Sequence, residues 1–168
     1  ISAGIVTVAA AGNEGETGTP SKQPMGSPAR ASGVITVGAS YDNGDRCGFS
    51  TWGVTDGAAY DSGNPSQYAL SYTKPEVLAP GIYITAANSY YQGSWTNMGG
   101  EAPAANEWIQ SQGTSMACPH VAGLAALMLQ ANSGLAHIDI KDAMKANTAP
   151  GTGAGDGDFR KGWGMVLG

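Results

Sequence analysis

One serine of this chain stands where a nucleophile could be presented. Ser115 follows a Gly-Thr turn and precedes an apolar segment, residues 116–129, that only Pro119 and His120 interrupt. Because proline is tolerated in a first helical turn, the segment predicts a helix, and a helix that is apolar all round is expected to be buried. Ser115 would then lie at the positive end of the helix dipole, where negative charge is stabilised. The competing interpretation is a plain helix cap, for which Ser and Thr are preferred.

A second residue with chemical potential follows a predicted strand near the start of the chain. Residues 4–12 read Gly-Ile-Val-Thr-Val-Ala-Ala-Ala-Gly, a pattern that favours a buried strand leading into a loop, and Asn13 comes next. The amide of an asparagine can donate to an oxygen that becomes negative during acyl transfer. Taken alone, Asn13 could also be an ordinary turn residue.

Both segments resemble the subtilisin-like serine proteases, the subtilase family. Residues 113–117 (Gly-Thr-Ser-Met-Ala) and 119–123 (Pro-His-Val-Ala-Gly) are similar to the nucleophile signature of that family, and residues 4–15 are similar to the segment that carries its oxyanion-hole asparagine. The resemblance implies that Ser115 and Asn13 are catalytic and that Ala10, Ala11, Gly12 and Thr114 bind substrate.

The resemblance extends to the fold. Residues 32–39 and 74–81 resemble two later strands of the family, and residues 147–149 and 162–166 resemble the end of its catalytic domain. An α/β fold is therefore implied, with a parallel β-sheet flanked by helices, as in the C-terminal half of the subtilisin fold.

The general base that a serine nucleophile requires is missing from this pattern. His120 lies five residues after Ser115, and at about 100° per residue it points some 140° away, so we expect a packed structural histidine. His137 is expected on the surface, in the loop before a last helix that starts near Asp139. The Asp-Thr-Gly-like and His-Gly-Thr-like motifs of the family do not occur. Residues 1–168 are therefore predicted to be a partial catalytic domain that lacks its N-terminal part and is inactive alone.

Composition narrows the classes of function. The net charge is −5 and no Lys/Arg cluster is present, which argues against a nucleic-acid partner. The longest apolar segment, about fourteen residues, is too short to span a membrane. With 26 glycines and 12% charged residues, the chain suits a loop-rich α/β enzyme, and we expect an extracellular, secreted protein.

Cysteines and acidic loops offer weaker signals. Cys47 and Cys118 are expected to be free thiols, with Cys118 buried in the apolar helix. Residues 42–45 (Asp-Asn-Gly-Asp) predict a hairpin turn. Asp156 and Asp158 could supply oxygen ligands to calcium, although a surface loop explains them better. No metal ligand is assigned, and the chemistry requires no cofactor, while a structural calcium ion stays possible.

The resemblance implies a serine endopeptidase that acts on peptides or proteins. Its catalytic His and Asp would come from the N-terminal portion of the same catalytic domain, expected as a separate chain. Two alternatives stay open. One is an inactive half-domain with a binding or structural role, and the other is a subtilisin-like peptide ligase or leader peptidase.

Overall fold

A computed structural model describes residues 4–15, 25–54, 73–87, 108–149 and 161–166. The calcium candidates Asp156 and Asp158 lie outside these ranges. In chain order the elements are β1 (Val8–Ala10), β2 (Ile35–Ser40), β3 (Gly53–Val54), β4 (Thr73–Lys74), β5 (Val77–Pro80), β6 (Ile84–Ala87), β7 (Trp108–Ser111), α1 (Thr114–Ala131), α2 (His137–Ala146), β8 (Thr148–Ala149) and β9 (Met165–Val166).

The centre of the fold is a five-stranded sheet in the order β1-β2-β5-β9-β8. The first four strands of that order run parallel, and β8 pairs with β9 antiparallel. Every residue of β2 is buried, as expected for a central parallel strand that is covered on both faces. The parallel sheet confirms the predicted α/β class and places the carboxyl ends of β1, β2 and β5 at one edge.

Helix α1 confirms the predicted apolar helix but not its complete burial. It packs against β1, β2 and β5 through a stripe that includes Ala117, Val121 and Ala125. The opposite face is open in the described part of the chain, and the side chain of Leu127 is 62% exposed. The apolar sequence predicted that every side of α1 is buried, whereas the described sheet covers only one side of the helix. Neither described helix has the length and hydropathy that crossing a membrane requires.

Helix α2 begins two residues earlier than the sequence predicts. The Asp139 carboxylate accepts the Ala136 N–H at 2.9 Å, so Asp139 is the third residue of the helix rather than its start. His137 therefore lies in the first turn, on the same buried face as Ile140 and Met144, and is only 6% exposed. The prediction of a surface histidine at this position was wrong.

Two antiparallel strand pairs and one tight turn lie outside the main sheet. Strands β3 and β4 pair antiparallel, as do β6 and β7, and β7 leads directly into α1. The turn predicted at residues 42–45 is confirmed, since the Tyr41 N–H donates to Asp45 O at 2.8 Å and the Gly44 N–H donates to Tyr41 O at 3.0 Å.

Both cysteines are free thiols, as predicted. Cys47 is fully buried in the core between sheet and helix, and Cys118 is half-buried on α1. Burial raises the pKa of the Cys47 thiol to about 11, an effect that nearby Arg46 only partly offsets.

The native protein is expected to resist alkylation at Cys47. With a pKa of about 11, only about 0.1% of this thiol is ionised at pH 8, and the thiolate is the nucleophile. Iodoacetamide at pH 8, followed by peptide mass mapping, should modify Cys47 only after denaturation. Complete labelling in the native state within minutes would contradict its burial.

Candidate active site

Ser115 lies in the first turn of α1, at the edge of the sheet where the parallel strands end. The residue before the helix is Gly113, whose φ of 142° and ψ of 164° suit glycine and which has no side chain that could cap the helix. The Gly113 N–H donates to Gly81 O at 2.8 Å, which ties this turn to the end of β5. Ser115 is exposed, so the structure presents its hydroxyl and gives the helix-cap interpretation no support.

Asn13 meets this turn from the end of β1. Its Oδ1 accepts the Thr114 N–H at 2.9 Å and the Thr114 hydroxyl at 3.1 Å. Because these bonds fix the amide oxygen, the amide plane and its Nδ2 donors are oriented as well. Nδ2 lies beside Gly113, 3.3 Å from the position that a Cβ there would take. Within the described ranges, neither Nδ2 nor the Ser115 hydroxyl has a hydrogen-bond partner.

Thr114 is behind the site rather than on its surface. It is 1% exposed, and its hydroxyl also accepts the Gly12 N–H at 3.1 Å. Thr114 thus joins the helix start to the segment that carries Asn13. Its predicted contact with substrate stays a prediction, and the geometry adds a positioning role.

Ala10, Ala11 and Gly12 lead from β1 into the site. Ala11 is 3% exposed and donates its N–H to Val37 O at 2.9 Å, while Ala10 and Gly12 are half-buried. Gly12 has a φ of +107°, and a Cβ on it would collide with the Glu14 carboxylate. The three small residues therefore border Asn13, as expected, and their role in substrate binding stays a prediction.

Neither histidine of the chain is hydrogen-bonded to Ser115 in this structure. His120 is exposed, contrary to the packed residue predicted, and its Nδ1 lies 2.8 Å from Met116 O in its own helix. His137 is buried on α2. A serine hydroxyl needs a base within hydrogen-bond reach, and no described histidine bonds to it.

The described groups near the serine provide neither an alternative nucleophile nor a metal centre. Burial raises the pKa of the Cys118 thiol, which disfavours the reactive thiolate. Among the described residues, no three His, Cys, Asp or Glu side chains are grouped so that they could hold a metal ion. The chemistry that this site supports is therefore that of a hydroxyl beside an oriented amide donor.

Sequence reasoning missed two residues that hold the site. Gly81 accepts the Gly113 N–H, and a Cβ on it would lie 2.5 Å from the Ala39 Cβ and 3.0 Å from Gly113 O. The Pro-Gly pair at residues 80–81 was a usable signal, because it marks a close turn. Thr51 is fully buried and bonds to both neighbours of Asn13. Nothing in its local sequence distinguishes it.

Comparison with known proteins identifies the family of the chain. The model of the subtilase family matches residues 1–164. Serine protease AprX from Bacillus subtilis (strain 168) is 37% identical over 152 residues, which are 88% of this chain and 31% of that protein.

Two solved structures share the fold. Fervidolysin from Fervidobacterium pennivorans, a keratinolytic enzyme related to subtilisin, matches 97% of this chain and 22% of its own with a TM-score of 0.65 and 27% identity. The prenylagaramide maturation protease PagA matches 98% of this chain and 48% of its own with a TM-score of 0.61 and 26% identity. The chain spans less than half the length of these relatives. The family match covers nearly the whole length of the chain, and the chain belongs to the subtilase family.

Proposed function

We propose that this chain carries the nucleophile and the oxyanion hole of a serine endopeptidase. The observation that carries the proposal is the joint placement of Ser115 and Asn13. Ser115 is exposed at the start of α1, and Thr114 holds the amide oxygen of Asn13 so that its Nδ2 group is available to a bound carbonyl.

The proposed reaction is acyl transfer from a peptide. Ser115 Oγ attacks the scissile carbonyl carbon while a base takes its proton, and the carbonyl oxygen gains negative charge. Asn13 Nδ2 and the Ser115 N–H, one of the first four N–H groups of α1, would donate to that oxygen. The base then protonates the leaving amine, and water releases the acyl group by the same steps. No cofactor is needed for this sequence.

The base and its orienting carboxylate are proposed to come from the N-terminal portion of the same catalytic domain. The described surface supports such a partner. In the described ranges β1 pairs only with β2, so its outer edge is open to another strand. Helix α1, which packs on β1, exposes Leu127, and Ile5 just before β1 is 64% exposed. The open strand edge near Ile5 and the separate apolar face of α1 that carries Leu127 are both suited to a docked protein segment.

A dedicated processing enzyme is the second candidate. The structural match to the prenylagaramide maturation protease PagA supports a leader peptidase or a peptide ligase on the same scaffold. An inactive half-domain that only binds its partner is the third. An extracellular site of action belongs to the main proposal, since many members of the family are exported.

Labelling with a fluorophosphonate probe tests the proposal. We expect mass mapping to find the adduct on Ser115 when the base-supplying segment is present, and no adduct on this chain alone. Labelling of the isolated chain would show that a histidine of this chain acts as base. Absence of labelling in both states would leave the inactive half-domain. Product analysis with a peptide panel then separates hydrolysis from ligation.

A further inference from the structure

We propose that Thr51 is a positioning residue for residues 12–14, the oxyanion turn that carries Asn13. The inference rests on the proposed function, because the turn affects turnover only if Asn13 stabilises the oxyanion. Thr51 lies just before β3, far from Asn13 in sequence, and is 0% exposed. It contacts neither substrate nor Ser115 in this proposal and acts only through Asn13.

Three hydrogen bonds connect Thr51 to the turn. Its N–H donates to Gly12 O at 3.0 Å. Its hydroxyl oxygen accepts the Glu14 N–H at 2.9 Å, and the same hydroxyl donates to Glu14 Oε2 at 2.7 Å. Thr51 therefore holds both neighbours of Asn13, and its hydroxyl is bonded to the backbone and the side chain of one of them.

The oxyanion turn needs such support. Asn13 and Glu14 are exposed, so packing against the core contributes little to their position. Gly12 adopts a φ of +107°. Glycine reaches this conformation readily, but its own backbone preferences do not hold it there. Thr114 holds the amide oxygen of Asn13 from the side of α1, and Thr51 holds the backbone from the other side. An oxyanion donor must lie about 2.7–3.1 Å from the developing charge, so small displacements of this backbone reduce its effect.

Valine tests the hydroxyl without changing the shape of the side chain. Thr51→Val removes one hydrogen bond from the Glu14 N–H and one from Glu14 Oε2, while the backbone N–H of residue 51 is retained. We expect kcat to fall about tenfold and KM to change less than about twofold, because the loss concerns transition-state geometry. Thr51→Ser restores the hydroxyl and should recover most of the activity.

Thr36→Val is the matched control. Thr36 is also 0% exposed, and its hydroxyl donates to Ala29 O at 2.6 Å and accepts from Lys74 Nζ at 3.2 Å. It lies near the amino end of β2, away from the edge that holds Ser115. Thr36→Val should lower the unfolding temperature at least as much as Thr51→Val but leave kcat within about twofold, which separates positioning from general stability.

A double-mutant cycle with Asn13→Ala tests whether Thr51 acts through Asn13. The kcat of every variant is measured with the segment that supplies the base present, as it is in the isolated protein. If Thr51 acts through Asn13, Thr51→Val lowers kcat about tenfold when Asn13 is intact and less than about twofold in the Asn13→Ala background. Equal losses in both backgrounds, or an unchanged kcat in Thr51→Val alone, would overturn the proposal.

Amide hydrogen exchange supplies a readout that does not depend on activity. Thr51→Val should speed exchange in peptides that cover residues 12–15 and not in those that cover β2, whereas Thr36→Val should not affect residues 12–15. Unchanged exchange at residues 12–15 in Thr51→Val contradicts the inference even if the enzyme is active. A wild-type protein without turnover and without Ser115 labelling would instead refute the proposed function.

Discussion

Asn13→Ala is expected to lower kcat by about 10²–10³-fold and to leave KM within about twofold. The size of this effect is that measured for an oxyanion-hole asparagine in subtilisin, and we expect it here if Asn13 has the proposed role. The Asn13 donor strengthens its bond only as the carbonyl oxygen becomes negative, so its loss raises the barrier without weakening substrate binding. Steady-state kinetics with a peptide substrate measures both constants.

Two further variants sharpen this test. Asn13→Asp keeps an oxygen to accept from Thr114 but replaces the donor with negative charge, so its loss of kcat should be at least as large. Asn132→Ala removes another exposed asparagine, whose Oδ1 accepts the Gly134 N–H at 3.0 Å just after α1, and should leave kcat unchanged. Retention of kcat within about fivefold in Asn13→Ala would exclude Asn13 as the principal donor.

The core of the site was predictable because its signals are local. Ser115 follows a glycine turn and precedes an apolar helix, and Asn13 ends a β-branched strand, so each residue and its element lie within one short segment. Thr51 could not be found in this way. Its role arises from contact between two loops that are distant in sequence, and a buried threonine carries no mark of which backbone it will bond.

Burial was predicted less well than secondary structure. The apolar pattern of α1 indicates a helix, but the number of its covered sides depends on neighbours that hydropathy does not describe, and Leu127 is exposed. His137 illustrates the same limit at a helix end. Asp139 could be read as a cap or as the third helical residue, and the second arrangement turns His137 into the protein.

Replacing Glu76 with glutamine is expected to lower the free energy of unfolding by about 3–5 kcal/mol, the range found when one partner of a buried ion pair is removed. Glu76 is 6% exposed at the start of β5. Its Oε1 lies 2.6 Å from Lys74 Nζ and 2.7 Å from Lys141 Nζ, and its Oε2 accepts the Thr36 N–H at 2.8 Å. One carboxylate is thus shared by two buried lysines, and it connects β2, β4, β5 and α2.

Glutamine fits the space but not the bonding pattern. Every partner of Glu76 in this cluster is a donor, and an amide offers only one acceptor oxygen, so its NH₂ group would face at least one N–H. Lys74 has a fully buried side chain that also donates to Val34 O at 2.8 Å and cannot move easily to water. The variant therefore removes the Glu76 charge from beside two buried positive charges, which is more costly than the loss of one hydrogen bond.

Denaturant unfolding measures the loss of stability in Glu76→Gln, and a surface ion pair on α2 provides the control. Asp142→Asn removes the exposed partner of Lys145, 3.9 Å away on α2, and should cost at most about 0.5 kcal/mol. The loss of stability in Lys141→Met should lie between the losses in the other two variants, because Glu76 then keeps its ion pair with Lys74. The unfolding midpoint of Glu76→Gln could instead lie as close to the wild-type midpoint as that of Asp142→Asn does. That result would show that water, not the carboxylate, solvates the two lysines.

The position of Glu76 and its two lysines predicts a second result, on the activity of the Glu76→Gln variant. Glu76 bonds near the amino ends of β2 and β5, whereas Ser115 and Asn13 lie where the strands end. Glu76→Gln should therefore reduce the fraction of folded protein without changing kcat per folded active site, which titration with the fluorophosphonate probe counts. Asn13→Ala should instead lower kcat per folded active site, and it should also cost some stability because the buried Thr114 N–H loses its acceptor. The two variants together separate the residues that hold the sheet from those that act on the substrate.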